Sequence, residues 1–434
     1  MELKRRMYPH FDVENTDKSI CIKIADPNYI KKHRFYPFIR RITVAGWRKN
    51  DAGKYKVKER HIMFGSHLDS HIYEYYSGLV GELYESYIKD LPCNSSIIGY
   101  RRIRVNENAG NNIVFAANLF SQIQNLKSGT LLCFDVLSFF DNIKHDILKE
   151  KWIQIINKQG LSLPKDHFQI FKSITNYSYV ELKALRNRFN GFYEMDRHSK
   201  AGKRICNHAE FLKMSESKLI KKNNHARGIP QGSPISALLA NIYMIDFDVR
   251  MYDFVVQLGG FYYRYSDDIA IFIPTEHVCD TKEEVTKNLK NLELKYQDNK
   301  TEQTEFTCGQ VSNDSKSMFC QYLGFEYDGK EVRIRSSTKA KFYNRLPSRV
   351  FKYGIVLDIH NVGNLRKCLI LNKFHHKIKS HKAEKSRKGS NFISYIEKGI
   401  GIFETYKIDC GPIKKLSHNN KARIIDYLKK SQIR

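Results

Sequence analysis

Two hydrophobic rhythms run through the chain, one of period two and one near 3.6, and together they outline its elements. Between Phe261 and Pro274 (FYYRYSDDIAIFIP), two apolar half-strands, Phe261 to Tyr265 and Ile269 to Ile273, flank Ser266-Asp267-Asp268. That pattern predicts a hairpin with an acidic pair at its turn, closed by Pro274. Leu131-Leu132-Cys133-Phe134-Asp135 is a buried-strand run that also ends in an acid. A helix is predicted to begin near Lys144, with Ile147, Leu148, Trp152 and Ile155 along one face. Ile97-Ile98-Gly99-Tyr100-Arg101-Arg102-Ile103 reads as a strand ending in paired arginines, followed by a turn-rich 106–112 and an amphipathic helix from about Ile113 to Ile123.

Helical spacing governs further stretches. From Arg60 to Lys89 it is carried by Ile62, Leu68, Ile72, Tyr73, Tyr76, Leu79, Leu83 and Tyr87. Gly228-Ile229-Pro230-Gln231-Gly232-Ser233-Pro234 opens a predicted helix over Ile235 to Phe254, and a second is predicted over Lys282 to Tyr296. Residues 159–227 have few periodic runs and many charges, and read as an insertion. Beyond about Ser337 the chain turns basic and helical in tendency, most densely in Lys373–Lys388 (KFHHKIKSHKAEKSRK). The organisation expected is 1–59, 60–130, 131–158, 159–227, 228–336 and 337–434.

Composition narrows the partner. The 434 residues are 41% apolar, enough for two to four subdomains with real cores. Lys and Arg number 73 against 46 Asp and Glu, a formal charge of +27 that implies a polyanionic partner. The nine cysteines form no CxxC pair and no zinc-ligand spacing, which suits free thiols in a reducing compartment. With no apolar run of membrane-spanning length, a cytoplasmic protein without a membrane partner is expected.

Candidate chemistry starts from the acidic pair. Two unit charges about 4 Å apart repel by roughly 4 kcal/mol at an effective dielectric near 20, so fixed neighbouring carboxylates call for a proton, water or a cation. A divalent metal is the economical answer. The Gly/Pro turn at 228–234 leads into a helix N-terminus, where backbone can approach a nucleotide closely or simply begin a helix. Aromatic and basic residues interleave over 1–60, a pattern that suits stacking on single-stranded nucleic acid but more often packs an arm onto a core.

Tyr265-Ser266-Asp267-Asp268 resembles the Tyr-x-Asp-Asp box of reverse transcriptases. The arginine hairpin, Phe134-Asp135, the GIPQGSP helix entry, YSDD, Lys300-Thr301-Glu302 and Tyr322-Leu323-Gly324-Phe325 follow the family's order across roughly 60–327. The resemblance implies an α+β right-hand polymerase. Its parts would be a basic arm (1–59), fingers (60–130), palm (131–158 and 228–336), a connecting insertion (159–227) and a helical thumb (337–434). It implies two Mg2+ ions, or Mn2+ in their place, held by Asp135, Asp267, Asp268 and the Val136 carbonyl. Lys300 would stand near the leaving pyrophosphate as a general acid, Arg101 or Arg102 would grip the triphosphate, and Gln231 and Gly232 would line the floor under the sugar. Phe140 occupies the position where RNA-dependent RNA polymerases carry a second acid for the 2′-hydroxyl, which implies dNTP selection. Tyr322, Leu323 and Gly324 would form a primer grip, and Lys373, Lys377, Lys379, Lys382, Lys385, Arg387 and Lys388 a nucleic-acid contact.

Within that family the phrases YPHFD, HRFYPFI, IYEYYSGL, GYRR and YRYSDD look most like the bacterial defence-associated reverse transcriptases of type 2, with Ser266 where a Cys is expected. This finer resemblance implies a dedicated structured noncoding RNA as template and repetitive, concatemeric cDNA as product, in antiphage defence. A template-independent or general-template polymerase and a non-catalytic RNA-binding scaffold are the alternatives. Primer type and oligomeric state are not indicated.

Overall fold

The computed structural model describes residues 3–6, 8–49, 55–105, 108–156, 162–190, 203–312, 318–354 and 392–420. Its architecture is α+β, with helices packed on several small, mainly antiparallel sheets.

The first sheet is built from β1 (Phe38–Lys49) and β2 (Tyr55–Phe64), a long antiparallel hairpin. The segment expected as an insertion is tied to it: β6 (Ser178–Glu181) runs parallel to β1, and β7 (Lys221–Lys222) pairs with β6. The helix expected from Arg60 begins only at His67, because Tyr55–Phe64 is strand; Ser66 caps it by accepting from Asp69 N at 3.2 Å. Aromatics of the N-terminal arm pack inward as the commoner reading had it: Tyr8 stacks on His67, Phe11 meets Phe211 edge-on, and Phe38 stacks on Tyr73.

The strand expected at Ile97–Ile103 does not form. Ile97 makes a single bridge to Arg264, the chain turns at Tyr100 (φ 59), and the hairpin falls later, at β3 (Arg104–Val105) and β4 (Asn108–Ala109). Asn111 then caps the Asn112–Leu126 helix by accepting from Ile113 N at 3.0 Å.

The central sheet has the order β11-β10-β5-β9-β8, with β5 at Gly129–Asp135, β8 at Phe261–Tyr265, β9 at Asp268–Ile273, β10 at Glu302–Thr307 and β11 at Gln310–Val311. Both faces of β5 and β9 are covered. Leu132, Phe134, Ile269, Ile271 and Ile273 join a core with Trp152, Ile229, Leu239 and Tyr262. Leu131, Ala270 and Phe272 join a second core with Phe120, Tyr327 and Phe403. Two-sided burial is why these strands read as continuous apolar runs rather than alternating ones.

Helix boundaries shift in places. The helix expected near Lys144 runs His145–Ile156. The one expected over 235–254 is two, Ser236–Tyr243 and Ile245–Gln257, broken where Met244 leaves helical geometry (φ −91, ψ 3). The one expected over 282–296 runs Val278–Asn291. A small sheet of β12 (Cys320–Tyr322), β13 (Phe325–Tyr327) and β14 (Val332–Ile334) leads into the helices Ser336–Gly354, Phe392–Thr405 and 411–420. The basic run Lys373–Lys388 lies outside the described residues. Among the described residues no helix is long and apolar enough to cross a membrane.

Candidate active site

Register brings the acids together. β5 and β9 pair antiparallel so that Asp135 stands directly opposite Asp268, and Asp268 in turn opposes Tyr265 across the β8–β9 hairpin. Val136 N donates to the Asp267 carbonyl at 3.1 Å, fastening the end of β5 to the hairpin turn. The turn needs a left-handed residue, and Ser266 supplies it with φ 61. Three carboxylates and the Val136 backbone therefore meet at one end of the sheet. Lys300, in a short 3-10 turn before β10, donates to Asp135 Oδ2.

The carboxyls repel one another. Burial first, then the Asp135 charge, raises the Asp267 carboxyl above the usual range, against Ser266 and Arg60. Asp268 borders solvent, yet crowding by protein atoms, then Asp267 and Asp135, pushes it up to about 7, with Arg335 and Lys300 opposing. Three carboxylates and one backbone carbonyl are hard oxygen donors that match a hard cation, and an acidic cluster held at raised affinity for protons is one that gains from a divalent ion in their place. Among the described residues no group of three or more His, Cys, Asp or Glu side chains is arranged as a ready metal site. The oxygen donors present are of the kind Mg2+ or Mn2+ takes, with water or phosphate oxygens left to supply the rest of its shell.

A second patch is built from the residues that follow β5. Ile229 N donates to the Phe140 carbonyl at 2.9 Å and Gly228 N to the Ile143 carbonyl at 2.8 Å, so the GIPQGSP turn is laid along the Phe139–Asn142 helical turn. Met63 N donates to the Gln231 carbonyl at 2.8 Å, fixing the same turn to the end of β2. At Gly232 (φ 116) a Cβ would fall 2.5 Å from the Met63 carbonyl oxygen, so no side chain fits. Phe140 is partly buried against the core beside Phe139.

The structure corrects part of the expected nucleotide grip. Arg101 is spent internally: its guanidinium donates to Glu85, to the Asn94 and Ile97 carbonyls and to Asn94 Oδ1, with the side chain only 4% exposed. Glu85 lies on the preceding helix, a partner that local pattern does not announce. Arg102 is exposed. The expected primer grip is a tight hairpin turn, Leu323 (φ 44) and Gly324 (φ 96), but Tyr322 points into the core at 5% exposure, so only the turn itself meets the surface. Asn112 Nδ2 reaches the Leu323 carbonyl at 3.3 Å, and Arg335 N the Gly324 carbonyl at 3.0 Å.

Sequence reasoning missed two sets of residues. Arg60 on β2 and Arg335 after β14 act electrostatically on Asp267 and Asp268 respectively, and nothing in the sequence marks them. Asp248, Asn241 and Arg264 form a buried network behind the turn. Its signal was present: an arginine on the inward-facing side of an aromatic strand, FYYRY, requires a buried acid.

The family model described as "Reverse transcriptase (RNA-dependent DNA polymerase)" matches residues 94–327. No curated protein matches the sequence. Similar solved structures include apo telomerase from Candida tropicalis (TM-score 0.47, 13% identity, covering 92% of this chain and 59% of that one). A form of it truncated from the C-terminal domain gives a TM-score of 0.44 at 13% identity, covering 75% of this chain and 63% of that one. Telomerase from Candida albicans in complex with a TWJ fragment of telomeric RNA gives 0.43 at 13% identity, covering 96% and 68%. The chain thus spans about 60% of the length of the first two structures.

Proposed function

Because the chain belongs to the reverse transcriptase family, we propose that it is an RNA-directed DNA polymerase that adds dNTPs to a primer 3′-hydroxyl. The observation that carries this reading is the convergence of Asp135, Asp267 and Asp268 at one end of the central sheet. Asp135, Asp267, Asp268 and the Val136 carbonyl are the groups that would hold Mg2+ or Mn2+. When bound, a pair of such ions stabilises the attacking and leaving oxygens of the phosphoryl transfer.

The chain's own residues do the rest. Lys300 Nζ, held at Asp135, is the proton donor to the departing pyrophosphate oxygen. Gln231 and Gly232 line the floor under the sugar, and the Phe140 ring crowds the position a 2′-hydroxyl would take. Arg102 is the exposed member of the arginine pair and the one free to meet a triphosphate. The surplus of Lys and Arg over acids, +27 in all, supplies long-range attraction for nucleic acid.

The template in this reading is a dedicated structured noncoding RNA, copied into repetitive cDNA in the cytoplasm of a bacterium as part of antiphage defence. The phrases YPHFD, HRFYPFI, IYEYYSGL, GYRR and YRYSDD, which look most like the type 2 defence-associated enzymes, support it. The test is to sequence the nucleic acid that co-purifies with the protein and the DNA made from it after dNTPs and Mg2+ are added. One dominant small RNA with complementary tandem-repeat cDNA is the expected result. DNA matching no bound RNA would replace the reading with an untemplated or general polymerase, and RNA bound without any synthesis would replace it with a scaffold.

A further inference from the structure

Behind the acidic turn sits a charge pair that the proposed chemistry does not touch. Arg264, on β8, and Asp248, on the Ile245–Gln257 helix, are both fully buried, with side chains 0% exposed. Arg264 Nε and Nη2 donate to the two Asp248 oxygens, each at 2.6 Å, and Tyr262 OH donates to Asp248 Oδ1 at 2.5 Å. The remaining nitrogen, Nη1, donates to the Ser266 carbonyl at 3.0 Å and to Asn241 Oδ1 at 3.1 Å. Asn241 Nδ2 in turn donates to the Gly99 carbonyl at 2.8 Å. Gly99 lies so close to the turn that a Cβ there would fall 2.6 Å from Ser266 N.

Taking two charges out of water costs several kcal/mol each, and apolar residues of the same volume often stabilise a core as well or better. Packing alone therefore does not account for the pair. What it adds is direction: the planar guanidinium is locked by Asp248 on two nitrogens, and the third is left to hold one backbone carbonyl together with Asn241 Oδ1. That carbonyl belongs to Ser266, held at φ 61, and it opens the peptide whose nitrogen is that of Asp267.

We propose that Asp248 and Arg264 are positioning residues: they fix the Ser266–Asp267 peptide and thereby aim the Asp267 carboxylate, so that divalent-cation affinity at the acidic cluster depends on them while RNA and dNTP binding do not. This deepens the reading of the acids as an ion-holding set and rests on it. Asn241 extends the same hold to the Gly99 loop, which packs against the back of the turn.

The decisive variant is Arg264→Lys. A lysine keeps a positive charge beside Asp248 but is a point donor without the fork, so the Ser266 contact is lost. Mn2+ binding to the full-length protein is measured by electron paramagnetic resonance, alongside thermal unfolding, RNA affinity and the kcat and KM for dNTP. The expected result is Mn2+ affinity weakened by roughly tenfold or more, the range typical of groups that orient metal ligands. A fall in kcat at limiting Mg2+, partly restored at high Mg2+, accompanies it, with RNA affinity and dNTP KM unchanged. If Arg264→Lys does not fold, the variant combining Arg264→Met, Asp248→Leu and Tyr262→Phe, which removes the buried charges together, gives the same readouts.

Unchanged Mn2+ affinity in a folded variant overturns the inference, as does a parallel loss of Mn2+, RNA and dNTP binding that tracks the unfolding temperature. The two readings separate cleanly. A wild-type protein that makes no DNA while Arg264→Lys weakens Mn2+ binding removes the polymerase and keeps the positioning role. A wild-type protein that makes DNA while Arg264→Lys binds Mn2+ as before does the reverse.

Discussion

Lys300 and Asp135 are joined as an ion pair, the lysine in the turn before β10 and the aspartate at the last position of β5. The lysine thus occupies an oxygen that a divalent cation would use. Replacing it, as Lys300→Ala, removes that competitor and the proposed proton donor together. Mn2+ affinity should rise while the single-turnover rate falls by about 10²-fold or more, the scale of a general acid. Equilibrium Mn2+ binding and rapid-quench kinetics check the two halves independently.

Loss of the turn acids should separate chemistry from binding. The double substitution Asp267→Ala and Asp268→Ala is expected to abolish DNA synthesis and leave RNA affinity intact, since neither carboxylate faces an anion favourably. Primer extension together with a filter-binding assay tests this. Persistent synthesis by the double variant would remove the assignment of the site.

Phe140 should decide the sugar. Shortening it to Ala opens the space beside the Phe139–Asn142 turn and is expected to relax discrimination against ribonucleotides by roughly tenfold or more. The ratio of kcat/KM for dNTP and rNTP is the measurement. A ratio unchanged from wild type would make the ring a core residue only.

The two neighbouring arginines should behave differently. Arg101→Ala leaves Glu85 and two carbonyls without their donor, and a loss of roughly 1–3 kcal/mol of stability is expected with dNTP KM little altered. Arg102→Ala should leave the unfolding temperature in place and raise KM for dNTP. Chemical denaturation and steady-state kinetics on both variants distinguish the roles.

The N-terminal arm should come loose in acid. Burial alone would raise the Asp12 carboxyl, but bonds from the His67 ring and from the Leu68 and His67 amides outweigh it and hold Asp12 down at about 2. A carboxyl lowered in the folded state stabilises it above the unfolded value and loses that contribution as pH falls toward the folded one, here from about 4 to about 2, worth about 2 kcal/mol. Burial of neutral His10, lowered to about 3, acts in the same direction as pH drops below about 6.5. Asp12→Asn should therefore destabilise at neutral pH and flatten the acid limb, as seen in thermal melts from pH 7 to pH 3.

Much of the site was legible from local pattern. The apolar runs at 131–135 and 269–273 announced buried strands, the acids closing or preceding them announced a charged sheet end, and the Gly/Pro string at 228–234 announced a turn into a helix. These features are encoded within a few residues, where periodicity and turn chemistry act. Only the tertiary structure decided which charge meets which. Arg101 turned inward because Glu85 and the 94–97 backbone happen to surround it, and Lys300, Arg60 and Arg335 reached the acids from three separate strands or turns. Register across the sheet set Asp135 opposite Asp268, and burial on both faces forced Arg264 to find Asp248. Such partners lie far apart along the chain, and a charge removed from water must be matched in space by whatever the fold brings near, which no local pattern records.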